Sequence, residues 1–174
     1  MTTRIPEITR YQDWLQEERN LSFENYDALW RWSTSDLGGF WDSIWSYMGI
    51  ESASPPRGVL AKNVMPGAEW FPGATLNYAT HVLRHVGRAD AAGFPAIVSD
   101  DERGERRALS WPDLALQVAA VATHLKQQGV GPGDRVVAYL PNIPEAAIAL
   151  FAVASIGAVW SVCSPDMGSK AVVD

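Results

Sequence analysis

Apolar residues recur along the first fifty positions at helical spacing. Tyr11, Trp14, Leu15 and Glu18 fall on one side of a helix spanning roughly 9–18. A second helix is expected after Ser22, a residue type that caps helix starts, with Tyr26, Leu29, Trp30 and Ser33 on one face. A third follows Asp36 and lines up Phe40, Trp41, Ile44, Trp45 and Met48 before Gly49 ends it. The two aromatic helices echo each other, but the echo is too short to define a repeat. Between 52 and 75 the periodicity fails. Pro55, Pro56, Gly58, Pro66, Gly67, Pro72 and Gly73 forbid a long helix or a central strand, so this stretch reads as an irregular arm anchored by Trp70 and Phe71. A further helix is expected over about 76–86. The Gly/Ala-rich stretch Gly87 to Pro95 then reads as a surface connection.

From Ala96 the pattern becomes α/β. Residues 96–99 and 106–111 read as strands flanking a turn at 100–105. Ser110, Pro112 and Asp113 mark a helix start, and Leu114, Val118, Val121 and Leu125 give that helix its apolar face. Gly129 closes it. Asp134 to Leu140 reads as a strand. Pro141 to Glu145 turns into a helix from Ala146 to about Ile156 that has scarcely a polar residue and is expected to be buried nearly all round. Gly157 ends that helix, and Ala158 to Cys163 forms the last strand. A strand, helix and strand joined by short loops predict a right-handed βαβ unit in a parallel sheet. The predicted fold class is thus α/β, with a Trp-rich helical N-terminal region before the first βαβ part of a mostly parallel sheet. The expected division lies between 1–86 and 87–174.

Composition sharpens this picture. Six of the eight tryptophans fall in the first eighty residues, and 47% of the 174 residues are apolar, so the chain can build a core. Net charge is -6, which repels phosphate backbones and anionic bilayers. Neither nucleic acid nor a membrane is an expected partner. The apolar run from Ala146 to Cys163 is long enough to raise a membrane span, but Gly157 breaks it and a helix start precedes it. Cys163 is the only cysteine, so no intrachain disulfide or cysteine-based metal site forms, and a reducing, cytoplasmic setting fits. The N-terminal MTTRIPEITRYQDW carries no apolar signal region. Gly168 to Asp174 follows a strand without a polar, fraying tail, and from this the chain is expected to be a piece of a longer one.

Most stretches with possible chemistry have plainer explanations. Gly129 to Asp134 is rich in glycine, but it ends a helix and opens a strand. A phosphate cradle needs the reverse order. His81 and His85 are four apart on a helix without a third ligand in sight, and His124 stands alone. The charges from Asp100 to Arg107 read as a solvated hairpin edge. Asn142 lies after the carboxyl end of a parallel strand and could cap a helix or meet a ligand, with capping the default. Cys163, Ser164, Pro165 and Asp166 follow the last strand, at the carboxyl edge where α/β sheets gather ligands. A ligand role and a purely structural one both remain open for them. Cys163 has no evident histidine partner, which argues against a catalytic thiol.

Three stretches resemble acyl-CoA synthetases of the adenylate-forming superfamily. Glu69-Trp70-Phe71-Pro72-Gly73-Ala74-Thr75-Leu76-Asn77-Tyr78-Ala79 resembles the N-terminal segment of short-chain acyl-CoA synthetases. Gly133-Asp134-Arg135-Val136, Leu140-Pro141-Asn142-Ile143-Pro144-Glu145 and Gly157-Ala158-Val159-Trp160 resemble the entry to the AMP-forming domain. Trp160-Ser161-Val162-Cys163-Ser164-Pro165-Asp166-Met167-Gly168 looks like the form this strand end takes in acetoacetate–CoA ligases, where acetyl-CoA synthetases have Phe-Gly-Gly.

The resemblance covers about 10–174 and implies an acid–thiol ligase. Acetoacetate, ATP and CoA are the implied substrates, with Mg²⁺ as the metal, and acetoacetyl-CoA, AMP and pyrophosphate the products. It further implies that Ser164, Pro165 and Asp166, which match Phe-Gly-Gly but depart from its glycines, lie against CoA. No Ser/Thr/Gly-rich loop followed by Pro-Lys occurs, and Lys170 stands in no matching context, so these residues alone are expected to be inactive. Acetate or propionate as the acid, and a non-catalytic folding or interaction module, are the alternatives.

Overall fold

A computed structural model describes residues 5–173. The first four positions of the N-terminal stretch read above for a signal region, and Asp174, lie outside the described residues. The fold divides into two compact units, one ending at Leu76 and the other beginning at Asn77.

The first unit is built on three helices, α1 (Glu7–Arg19), α2 (Tyr26–Ser35) and α3 (Leu37–Tyr47). Tyr11, Leu15 and Leu29 form its buried centre, with Trp14, Phe23, Trp32, Phe40, Ile44 and Tyr47 packed around them. Asp36 caps α3 by accepting from the Gly39 N–H at 2.9 Å. The start of α2 departs from expectation. Asn25, not Ser22, is the cap, and its Oδ1 accepts from the Ala28 N–H at 2.9 Å. Phe23 packs at a tilt against Trp32 with ring centroids 5.2 Å apart, which places the core contact before the helix begins. The face of α2 is accordingly rotated: Trp32 turns inward, while Trp30 and Tyr26 are exposed. The irregular arm holds a short antiparallel pair, β1 (Leu60–Lys62) and β2 (Glu69–Trp70). Trp70 meets Trp41, and Phe71 lies 4.4 Å from Trp45, ring to ring, so the two expected anchors hold the arm to α3.

The second unit opens with α4 (Tyr78–Leu83) and α5 (Val86–Ala91). The sequence predicts one helix over 76–86 and a loop beyond. Instead the helix breaks near His85, and a second one runs through Gly87. Next come the hairpin β3 (Ile97–Asp100) and β4 (Arg106–Leu109), helix α6 (Trp111–Gln127), strand β5 (Arg135–Tyr139), helix α7 (Pro144–Ser155), strand β6 (Val159–Cys163) and a last turn of helix, α8 (Ser169–Val173). Ser110 caps α6 by accepting from the Asp113 N–H, as its residue type predicts.

The core is the seam between α6 and α7. Leu114, Val118 and Ala122 on one helix face Ile148, Ala152 and Ile156 on the other, each set at a spacing of four. Burying each of the larger side chains contributes about 1.5–3 kcal/mol. β5 and β6 are parallel, paired from Arg135↔Val159 to Tyr139↔Cys163, as the βαβ reading requires. α7 is less enclosed than predicted. Pro144, Ile148, Ala152 and Val153 are buried, and most of its other residues are half-buried. β6 is half open as well, with Val159 and Val162 exposed. Among the described residues the strands pair only two by two, and no helix is long and apolar enough to cross a membrane.

Candidate functional site

Parallel pairing brings the carboxyl ends of β5 and β6 side by side. The last pair of the ladder is Tyr139 with Cys163, and the Leu140 N–H still reaches the Cys163 carbonyl at 3.2 Å. Beyond it each strand turns. After β5, Pro141, Asn142 and Ile143 lead into α7. Ile143 is the capping position and makes no side-chain cap, so Asn142 does not play the capping role expected of it; it is exposed. After β6 the chain folds into a turn closed by the Met167 N–H donating to the Ser164 carbonyl at 3.0 Å.

That second turn contains Ser164, Pro165 and Asp166 together, all exposed. The Ser164 hydroxyl and the Asp166 backbone N–H both donate to the Asp166 carboxylate and hold its pKa below the usual carboxylate value. From the opposite strand, the Tyr139 hydroxyl donates to the carbonyls of Pro165 (2.7 Å) and Met167 (2.9 Å). Sequence reasoning treated Tyr139 only as a strand residue. Its signal, a hydroxyl-bearing aromatic at the last position of a parallel strand, was present but pointed nowhere without the register. Cys163 is a free, half-buried thiol beside the turn. At the same end Arg107 pairs with Glu145 in the first turn of α7 at 3.0 Å. The Glu145 carboxyl is held below its ordinary value by a backbone N–H and by Arg107.

In the glycine-rich loop the Gly131 N–H donates to Asp134 Oδ2 at 2.8 Å, and the Gly133 N–H donates to the Gly157 carbonyl at 3.0 Å. Those donors tie the loop to the fold and are not left free for a phosphate. Asp100 and Arg106 form a two-pronged pair across the hairpin, as a solvated edge would. Among the described residues no three His, Cys, Asp or Glu side chains are placed to hold a metal ion, His81 and His85 included. In the first unit a groove of about 310 Å³ lies between α1, α2 and α3, walled by Ile8, Tyr26, Trp30, Phe40 and Met48, with Glu7 accepting from the Tyr47 hydroxyl at its rim. Its lining is mostly apolar.

Residues 84–174, which include the βαβ unit and both turns, match the AMP-binding enzyme family. The chain belongs to the AMP-binding enzyme family. Residues 26–82 match a second family, the acetyl-coenzyme A synthetase N-terminus. Acetoacetyl-coenzyme A synthetase of Rhizobium meliloti (strain 1021) is 38% identical over 170 residues, covering 96% of this chain and 25% of that protein. Malonamoyl-CoA synthetase of Penicillium aethiopicum is 34% identical over 175 residues, covering 97% of this chain and 24% of its own length. Among solved structures, acetoacetyl-CoA synthetase from Streptomyces lividans superposes with a TM-score of 0.85 at 44% identity, covering 95% of this chain and 26% of that one. This AMP-binding family member therefore spans about a quarter of the length of the curated relatives it matches.

Proposed function

We propose that these residues form the N-terminal portion of an ATP-dependent acid–thiol ligase that converts acetoacetate, ATP and CoA to acetoacetyl-CoA, AMP and pyrophosphate. The observation that carries the reading is the 44% identity, at a TM-score of 0.85, to an acetoacetyl-CoA synthetase across 95% of the chain. In this reading 1–86 is the helical N-terminal region and 87–174 opens the adenylation domain. α4, which precedes the family match, is docked on α7 inside it. The polar turn Ser164-Pro165-Asp166 takes the coenzyme, at the sheet edge where α/β folds gather ligands.

Activation of the acid by ATP is assigned to other polypeptide. It needs a flexible phosphate-binding loop and a lysine to neutralise developing charge. The glycine-rich loop present here has its N–H groups already bonded. Mg²⁺ accompanies ATP in this reading, but the described side chains do not fit a metal, so no step through it falls to them. A cytoplasmic setting agrees with the single, unpaired cysteine.

A second reading keeps the scaffold and changes the acid. The similarity to a malonamoyl-CoA synthetase favours it, because the same region serves a differently named ligase there.

The test uses the full-length product of the gene, assayed by pyrophosphate release. Acetoacetate is expected to be the best acid, and Ser164→Trp is expected to raise the CoA KM by filling the turn's approach. Preference for malonamate or acetate overturns the acid assignment. No acid-dependent release overturns the ligase. An unchanged CoA KM removes the Ser164 site.

A further inference from the structure

We infer that Tyr139 is a positioning residue for the coenzyme, acting through the hydroxyl that clamps the Ser164–Met167 turn from the neighbouring strand; this rests on the reading of that turn as the coenzyme's contact. The argument begins at the ladder. Tyr139 and Cys163 are the last paired residues of β5 and β6. Past them only the Leu140 N–H to Cys163 carbonyl bond continues between the strands, and the turn after Cys163 keeps one backbone–backbone bond of its own, Met167 N–H to Ser164 carbonyl, beside the bonds to the Asp166 carboxylate. Such an exposed turn has several accessible arrangements unless something outside it chooses one.

The Tyr139 side chain makes that choice. Its hydroxyl has one proton, and two carbonyls share it, Pro165 at 2.7 Å and Met167 at 2.9 Å. Both are therefore drawn to the Tyr139 side of the turn. In a trans peptide the C=O and the following N–H point in opposite directions. Drawing the two carbonyls toward β5 thus directs the N–H groups of Asp166 and Gly168 to the far side. The Asp166 N–H is already engaged by its own carboxylate. Among the described residues the Gly168 N–H meets no backbone acceptor outside the helices and strands, and it sits on an exposed glycine with no side chain to shield it. A donor so placed suits an acceptor oxygen of the coenzyme, an amide carbonyl or a phosphate.

Tyr139 touches neither substrate nor reacting atoms in this account. Losing its hydroxyl frees the turn without emptying the core, since the ring is half exposed. A single hydrogen bond of this kind is expected to change coenzyme binding by roughly 2- to 10-fold.

The experiment compares Tyr139→Phe with Ser164→Trp in the full-length gene product, reading the CoA KM, kcat, the ATP KM and the thermal midpoint. The expected result is a CoA KM raised roughly 2- to 10-fold by Tyr139→Phe, with kcat, the ATP KM and the midpoint near wild type. If Ser164→Trp raises the CoA KM and Tyr139→Phe does not, the positioning role is overturned and the coenzyme reading of the turn stands. If Tyr139→Phe lowers the midpoint and shifts every kinetic parameter alike, its role is structural and the inference falls. If neither variant moves the CoA KM, the turn does not meet the coenzyme and both readings are overturned.

Discussion

Tyr47 shows how one side chain links helices forty residues apart. Its hydroxyl donates to Glu7 Oε1 at 2.5 Å, joining the end of α3 to the start of α1. That bond exists only while the phenol is protonated, so the carboxylate beside it pushes the Tyr47 pKa up from 10.0 to about 12. A raised folded-state pKa means a contribution to stability that is whole below pH 10 and lost as pH climbs from there through about 12. Burial raises Tyr11 as well, so phenolate absorbance should show late ionisation from both, and Glu7→Gln should bring the Tyr47 part of that titration back toward 10.0. An unmoved titration in the variant would show that the bond is not the cause. Residue-scale features of this kind were invisible in sequence, because nothing in the spacing of Glu7 and Tyr47 marks them as neighbours. The Tyr139 clamp on Pro165 and Met167 was hidden for the same reason, whereas the polar cluster Ser164-Pro165-Asp166 stood out as soon as a strand was recognised before it.

At the scale of elements, the readable ones carry their own signals. α6 has a serine cap, a proline in its first turn and a strict apolar stripe, and its observed bounds follow from these. The βαβ unit was legible from two valine-rich runs around a proline-started apolar helix. The α2 start was not, because Ser22 and Asn25 are both good caps, and the Phe23–Trp32 contact decided between them. The α4–α5 break was missed because Gly87 reads as a stop, while the chain uses the turn at His85 instead. Asn77 is an element-scale joint that the sequence did not announce. Its Oδ1 accepts from the Thr80 N–H and starts α4, while its Nδ2 donates to the Ala154 and Ser155 carbonyls at the end of α7. One side chain thereby satisfies orphan groups at two helix ends. Asn77→Ala is expected to cost about 2 kcal/mol, from the lost cap and the stranded carbonyls. Urea unfolding should show a lower midpoint at unchanged slope. A loss below about 0.5 kcal/mol, within the range of ordinary surface changes, would contradict the joint.

For the molecule as a whole, the proposal is of a coenzyme-side scaffold whose activation chemistry lies in other residues. Residues 84–174 carry the family match, yet among the described residues no metal-binding cluster forms, and the glycine-rich loop spends its donors within the fold. The fold class could be read from hydrophobic patterning. The reaction could not, because a tryptophan-rich bundle and one βαβ unit serve many chemistries. ATP–pyrophosphate exchange driven by acetoacetate, measured on the purified 174-residue chain beside the gene's full-length product, tests the central claim most directly. The account predicts exchange by the full-length product and none by the 174 residues alone. Exchange catalysed by the short chain would contradict it.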